Sequence, residues 1–527
     1  MIRLIFNFIS MKKTILCGII LSLSSAIFAQ STFSLRYGPE AKVLSNVYPT
    51  DSCIYALGIA LDSINPNSQG NIFLKLDLEG NVISTRVLTN PYKPYAVWKP
   101  TLHETSNENL ISAGYSVDTV DSELSVILIE YDLNGDTILT KEYLRTSLDQ
   151  IPFYANRDMI IDDISNLVLC NTVGGDSITS SNSELLVLYP DLTKKFSKVF
   201  VDSFRATPES VIQDTDGGYI IGIFSINVNQ VLKNFTSKTH IIKVDILGEI
   251  QWEYLSPETE QQRGATAMVK ASDGGLIVTS GRGFEEPINS TTNDLFFKNI
   301  IYKLDENQEV EWEVDYSDLD TGRFIGNAFY RILDVGDGYV AAGANADQEL
   351  PSGMDGILHK ISYDGERIWE RKYYLVENVT HFASHEFFDM RQTSDNGFIM
   401  AGQIVDYSQS VNFQQGWIVK VDEYGCLVPG CHLADATIEL TDNQPVIQLY
   451  PNPTTDFLNI YFKNPNQSKD GVFQLIDLQG RVVVAFDADK NDTTYLVSLE
   501  KYASGIYFLQ YVENGIPVST QQIIIQK

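Results

Sequence analysis

An internal repeat constrains this 527-residue chain more than any other feature. One unit reads Asp216-Gly217-Gly218-Tyr219-Ile220-Ile221, a loop, His240-Ile241-Ile242-Lys243-Val244-Asp245, then Gly248-Glu249-Ile250-Gln251-Trp252-Glu253-Tyr254. The next copy has Asp273-Gly274-Gly275-Leu276, Ile301-Tyr302-Lys303-Leu304-Asp305 and Val310-Glu311-Trp312-Glu313. Further copies carry Asp337-Gly338-Tyr339 with Gly365-Glu366-Arg367-Ile368-Trp369, and Asn396-Gly397-Phe398 with Lys420-Val421-Asp422. Weaker ones centre on Lys75-Leu76-Asp77, Glu130-Tyr131-Asp132 and Tyr189-Pro190-Asp191. Aligned on Asp77, Asp132, Asp191, Asp245, Asp305, Ser362 and Asp422, successive copies lie 54 to 60 residues apart.

Each copy offers four short runs rich in Val, Ile, Tyr and Trp, separated by Gly-containing turns. In the fourth they fall at 210–214, 219–224, 240–246 and 250–255. A lone four-stranded sheet cannot cover both its faces, whereas sheets packed face to face in a ring can. The expected fold is all-β: a seven-bladed β-propeller over residues 30–432. The seventh copy has three strand candidates, because Gly425-Cys426-Leu427-Val428-Pro429-Gly430-Cys431 stands where a fourth would be. The spare strand Phe33–Tyr37 is expected to complete that blade beside 417–422 and so remove an open edge.

The turns at Asp-Gly and Gly-Glu are uniformly tight. The other connections, 59–70, 116–125, 173–184, 225–238, 281–298, 344–355 and 403–415, are expected to be long irregular loops on one face. Variable loops on a rigid scaffold suit recognition. Aromatic residues there, Tyr92, Tyr95, Trp98, Phe153, Tyr154, Phe284 and Phe324, with Phe382 and Phe413, are candidate contacts for a sugar or protein ligand.

Composition narrows the partners. Acids outnumber bases 68 to 38, for a net charge of −30, so nucleic acid is a poor partner. Hydrophobic residues make up 44%, too many for a mostly disordered chain. Residues 11–29 read as an export signal, with Lys12 and Lys13, an apolar stretch from Ile15 to Leu23, and a small-residue end at Ala29. Residues 1–10 precede a second start at Met11, and no membrane span is expected in the mature chain.

No catalytic signature stands out. His381 and His385 lie four apart, but Phe382, Phe387 and Phe388 suit a strand, and Glu does not follow the first His as a zincin requires. Asp132-Leu133-Asn134-Gly135-Asp136 reads as a repeat turn rather than a calcium loop. No metal or cofactor is expected. Among the cysteines left after export, Cys426 and Cys431 are close enough to form a disulfide, and Cys53 and Cys170 are expected on second strands as buried thiols.

Beyond a polar linker at 433–445, the sequence changes character. It carries Leu449-Tyr450-Pro451-Asn452-Pro453-Thr454, Leu458-Asn459-Ile460, Leu475-Ile476-Asp477-Leu478-Gln479-Gly480-Arg481-Val482, Ser504-Gly505-Ile506-Tyr507-Phe508, and a basic end at Lys527. Alternating strands between Gly, Asn and Pro turns read as a small immunoglobulin-like β-sandwich over 446–527. These motifs resemble the type A C-terminal sorting domain of the type IX secretion system of Bacteroidota. The resemblance implies export across the outer membrane by that machinery, removal of the domain and linkage to surface lipopolysaccharide. It makes Tyr450, Pro451, Asn452, Pro453, Gly480, Gly505 and Tyr507 folding and recognition determinants. The repeats are loosely similar to quinoprotein-like or delta-60-repeat propellers. The expected function is binding or adhesion, to a glycan or a protein, at the cell surface or after release; the alternative is a secreted hydrolase or lyase acting at the ring axis.

Overall fold

The chain is described by a computed structural model. It covers residues 31–527 except 39–40, 62–68, 91, 119, 121–123, 144–153, 175–179, 202–204, 230–233, 258–263, 290–291, 317–327, 347–352, 377–382, 409–413, 429, 433–446, 463–470, 478–480, 489–493 and 514–515. The expected export signal and linker therefore lie outside the described residues. The chain divides into two units, Met1–Leu427 and Val428–Lys527.

In the first unit, strands follow one another as antiparallel neighbours. Sheet A contains Ala41–Pro49, Ile54–Leu61, Gln69–Leu76 and Val82–Thr89. In sheet B two short inner pieces, Tyr95–Ala96 and His103–Glu104, precede Leu110–Val117, Leu124–Tyr131 and Thr137–Tyr143. Sheet C is Tyr154–Ile161, Leu167–Gly174, Ser181–Leu188 and Lys194–Phe200. Sheet D is Arg205–Gln213, Tyr219–Asn229, Asn234–Val244 and Ile250–Leu255. Sheet E is Ala267–Lys270, Leu276–Asn289, Thr292–Leu304 and Val310–Asp315. Sheet F is Ala328–Asp334, Tyr339–Ala346, Gly353–Ile361 and Arg367–Tyr373. Sheet G is Ala383–Gln392, Phe398–Asp406 and Gln414–Val421, completed by Phe33–Tyr37.

That N-terminal strand pairs antiparallel with the last strand of sheet G, Phe33 opposite Lys420 and Tyr37 opposite Gly416, at the edge the sequence indicated. Trp417 Nε1 donates to Ser34 Oγ at 3.0 Å, and Lys420 Nζ donates to the Ser31 carbonyl at 2.8 Å. Apolar clusters join each sheet to the next. Leu57 and Phe73 of A meet Ile127 and Tyr131 of B; Ile277 and Ile301 of E meet Phe329 and Tyr339 of F, while Phe387 and Trp417 of G pack with Leu358 of F. The cycle closes where Leu44 and Ile72 of A pack with Ile399 and Ile418 of G. Sheets packed in a closed cycle, with the chain's first strand completing the last sheet, make this unit a β-propeller.

The repeat motifs now have physical roles. The aspartate opening each Gly-Gly, Gly-Tyr or Asn-Gly turn pairs with the lysine of the third strand: Asp216 with Lys243, Asp273 with Lys303, Asp337 with Lys360 at 2.7 Å, Asp395 with Lys420 at 2.6 Å. The aspartate two residues after that lysine folds the next turn. Asp245 Oδ1 accepts from the backbone of Leu247 and Glu249 at 2.8 and 2.9 Å, and Asp132 does the same with Asn134 and Asp136. Gly365, at φ +84°, lies under Trp312 of the preceding sheet, and a Cβ there would come within 2.8 Å of the indole. Tyr373 locks the following interface by donating to the Gly425 carbonyl at 2.7 Å.

Two expected loops are corrected. Segments 225–238 and 281–298 are largely strand: the hairpin of sheet D pairs out to Asn229↔Asn234, and that of sheet E to Asn289↔Thr292. Alternation through Ser225-Ile226-Asn227-Val228-Asn229 is a strand pattern that simply continues past the sheet. The first strand of sheet D also begins at Arg205, ahead of the expected start at 210. Cys426 and Cys431 are disulfide-bonded. Cys170 is a free, buried thiol on a second strand, whereas Cys53 lies just ahead of its strand and is half-buried.

The second unit has two antiparallel sheets, one of Ile447–Tyr450, Phe457–Phe462 and Thr494–Ser498, the other of Val482–Ala488, Gly471–Asp477, Gly505–Glu513 and Ile516–Ile525. One core lies between them, with Leu458, Ile460 and Phe462 from the first and Phe473, Leu475, Leu509 and Ile523 from the second. Asn452 ties the entry turn to the last strand: its Nδ2 donates to the Gln522 carbonyl at 2.6 Å and its Oδ1 accepts from Ile524 N at 2.9 Å. Tyr507 Oη donates to the Ala503 carbonyl, Tyr450 is exposed, and Gly480 lies outside the described residues.

Candidate functional site

The first strands of the propeller sheets carry a shared irregularity. In sheet C the pairing register slips between Asn156 and Asp158, leaving Arg157 unopposed. The same slip frees Glu209 in D, Tyr330 in F and Phe388 in G. In A it frees Ser45, which instead bonds the Val97 carbonyl at 2.8 Å. A bulge re-aims the extra side chain. Here Arg157, Glu209, Tyr330 and Phe388 all line one cavity of about 710 Å³, together with Trp98, Lys99, Tyr115, Asn156, Asp158, Thr266 and Arg331.

The residue after each bulge is polar and reaches sideways. Asn46 Oδ1 accepts from Thr101 N and Leu102 N at 2.6 and 2.9 Å. Asp158 Oδ2 accepts from Val211 N, and Asp389 Oδ2 from Val47 N, both at 3.0 Å. Ser210 Oγ donates to the Ala265 carbonyl at 2.7 Å. Each of these bonds ties one sheet's inner strand to the next.

Arg331 spans the axis. From sheet F its Nε donates to Asp389 Oδ1 at 3.1 Å, while Nη2 donates to the Pro100 carbonyl at 2.6 Å and lies 3.5 Å from Asp158 Oδ1. One guanidinium thus joins sheets G, B and C. Burial pushes the Asp158 carboxyl above its ordinary value, with Arg331 pulling the other way. Burial also opposes the charge on Arg331, but Asp158 and Asp389 outweigh it and raise the guanidinium pKa further. His103 donates from Nε2 to the Met159 carbonyl at 2.7 Å; burial, helped by Arg391, lowers its pKa to about 3 and keeps it neutral.

Aromatic rings form part of the cavity wall. Tyr330 and Phe388 pack with centroids 5.5 Å apart. Trp98 Nε1 donates to Tyr115 Oη at 3.2 Å, and that hydroxyl donates to Gln69 Oε1 at 3.2 Å. Asp158 is committed to Arg331 and Val211, which leaves Glu209 as the cavity's other carboxylate, a poor set for a divalent cation.

Of the aromatic residues singled out from sequence, Trp98 lines this cavity. Tyr92 is almost fully exposed in a turn. Tyr95 is half-buried on a strand, its hydroxyl pushed up to about 12 by burial. Tyr154 and Phe284 fall within strands, while Phe153 and Phe324 lie outside the described residues, as does His381. His385 is buried, its Nε2 accepting from Leu375 N and its Nδ1 donating to the Met354 carbonyl, so both ring nitrogens serve the backbone. Arg157, Glu209, Tyr330, Phe388 and Arg331 were not anticipated. Aligning the first strands would have shown the signal, a polar residue directly followed by an apolar one in Arg157-Asp158-Met159, Glu209-Ser210-Val211 and Tyr330-Arg331-Ile332.

The fold and this axial cavity define a β-propeller with a ligand-sized pocket, followed by a separate β-rich tail. Residues 448–526 match the family model described as secretion system C-terminal sorting domain. The chain thus carries a type IX sorting domain that engages the secretion machinery, and the protein is exported, to be secreted or held at the cell surface or outer membrane. No curated protein matches the chain. Among solved structures, a PL25 ulvanlyase, titled as a new polysaccharide lyase family, is similar at 8% identity and a TM-score of 0.49, over 75% of this chain and 97% of that one. The propeller domain of the Trilobed protease from Pyrococcus furiosus is similar at 12% identity and a TM-score of 0.39, over 73% and 100%. A lignostilbene dioxygenase from Pseudomonas brassicacearum is similar at 11% identity and 0.42, over 76% and 93%. No helix among the described residues is long and apolar enough to cross a membrane.

Proposed function

We propose that this exported protein is a saccharide-binding module, built as a seven-bladed ring with its recognition site in the axial cavity. The carrying observation is the lining itself. Four aromatic side chains, Trp98, Tyr115, Tyr330 and Phe388, share one cavity with Asn156, Arg157, Glu209 and Thr266. Flat apolar faces beside directed polar groups suit a sugar, whose ring faces are apolar and whose edges are hydroxyls. The cavity volume falls within the roughly 300–1,000 Å³ usual for small-ligand sites. Tyr92, Tyr95, Phe153, Tyr154, Phe284 and Phe324 remain proposed outer contacts for a longer glycan or a protein. On this reading the immunoglobulin-like tail is removed on export and the propeller is released or joined to lipopolysaccharide.

Binding of the purified chain to a broad glycan panel tests the reading. Trp98→Ala is expected to weaken retention of the best ligand; uniform lack of binding would contradict the proposal. A second reading, a hydrolase or lyase at the axis, draws on Glu209 and Asp158 entering the cavity beside Arg157 and Tyr330. Shortened or unsaturated products from a bound oligosaccharide would favour it over simple binding.

A further inference from the structure

We infer that the saccharide taken by the axial cavity carries an anionic substituent, a carboxylate or a sulfate, and that Arg157 receives it. The inference rests on the saccharide reading and narrows it.

Acids outnumber bases 68 to 38 in this chain, so an arginine would be expected to find a carboxylate. Arg331 has Asp158 and Asp389. Arg157 has none among the described residues. Its Nε donates to Thr172 Oγ1 at 2.9 Å, and Thr172 is buried, so the stem of the guanidinium is pinned. The two Nη groups make no other hydrogen bond or ion pair among the described residues, and neither is a buried orphan. The adjacent Asp158 cannot neutralise it, being turned to Arg331 and Val211 N.

The bulge between Asn156 and Asp158 sets Arg157 on the cavity wall, and the matching bulge in sheet D sets Glu209 there, likewise without a partner among the described residues. Two opposite charges are thus delivered to one aromatic-walled cavity by the same backbone device and left unpaired. A fixed guanidinium with two free donors matches the paired oxygens of a carboxylate or sulfate. A carboxylate accepts hydrogen bonds from sugar hydroxyls, and Glu209 can hold the ring while Arg157 holds the acid group.

Titration calorimetry of the full secreted chain with three oligosaccharides of equal length separates the possibilities: a neutral cello-oligosaccharide, an oligogalacturonate and a sulfated carrageenan fragment. One acidic ligand is expected to bind about tenfold or more tightly than the neutral one. Arg157→Gln is expected to erase that preference and Arg157→Lys to restore part of it, with the thermal midpoint unchanged. Glu209→Gln is expected to weaken all three ligands while keeping the acidic preference. The galacturonate and carrageenan arms tell carboxylate from sulfate. Equal binding of neutral and acidic sugars, or a preference that survives Arg157→Gln, overturns this inference and leaves the saccharide reading standing. Binding of none of the three overturns both.

Discussion

Arg331→Met removes the group that joins three sheets across the propeller axis. It leaves Asp158 and Asp389, which are 3% and 1% exposed, without their shared cation. Each keeps one backbone donor from a neighbouring sheet, Val211 N and Val47 N, so the site is not stripped bare. Breaking a buried ion pair from one side costs about 3–5 kcal/mol. Unfolding entropy of about 2.1 cal/mol/K per residue, over a unit of roughly 400 residues, gives about 0.8 kcal/mol/K. The expected fall in midpoint is therefore about 4–6 °C by scanning calorimetry at pH 7. The pH dependence has a definite sign. Burial already raises the Asp158 pKa, and loss of Arg331 raises it further. A carboxyl whose folded pKa lies above its unfolded value favours folding when protonated and loses that contribution as pH rises through the folded value. The deficit of Arg331→Met should thus shrink between pH 7 and pH 4.5. A midpoint within about 1 °C of the parent at pH 7, or a deficit that grows on acidification, would refute the axial-bridge reasoning.

Gly365→Ala combines a left-handed backbone with a Cβ pressed against Trp312 and should cost about 2–3 kcal/mol by urea titration; Gly274→Ala has a similar φ but open space around it and should cost about 1. Lys243→Met leaves Asp216 unpaired and Asp214 with Lys270 alone, and should cost roughly 2 kcal/mol at neutral pH, since Asp216 is largely exposed. The side-chain bond from Lys243 lowers the Asp216 pKa, and at Asp214 the same bond and Lys270 outweigh the opposing effect of burial. That contribution is present above the ordinary carboxylate range and fades as pH falls through the lowered folded values, so parent and Lys243→Met should converge in acid-unfolding curves once the pH is below the ordinary carboxylate range. Removing residues 31–37 uncovers the edge of sheet G and frees Trp417 from Ser34; a red-shifted tryptophan emission and self-association on size-exclusion chromatography are expected. Asn452→Ala loses two backbone bonds to the final strand and should destabilise the tail by about 1–2 kcal/mol, read as reduced export and cell-associated precursor.

What the sequence disclosed was the part that repeats. Asp216, Lys243 and Gly248 recur because sheets D to G use the same ion pair and similar turns. Phe33–Tyr37 was legible as a strand without a blade, since the last copy lacked one. The tail could be read from Tyr450-Pro451-Asn452-Pro453 and its companions. The cavity was hidden for the opposite reason. Its lining occupies positions where the copies differ, Arg157, Glu209, Tyr330 and Phe388, and a bulge of one residue breaks the period-two alternation by which a strand's faces are read. Aromatic composition directed attention to the connecting segments, where Tyr92 is exposed but is not part of the cavity wall. Trp98 was reached by that route because its segment replaces a continuous inner strand in sheet B. The hairpins at 225–238 and 281–298 were missed because long connections were equated with irregular ones.

Hydrogen-exchange mass spectrometry of the full chain, with and without a saturating acidic oligosaccharide, tests the location of recognition most directly. Slowed exchange is predicted in peptides covering 155–161, 207–213, 328–334 and 386–392, the bulged inner strands, and in 95–101. Protection confined to 82–92 or to the hairpin tips near 229–234 and 289–292, with the inner strands unchanged, would contradict an axial site.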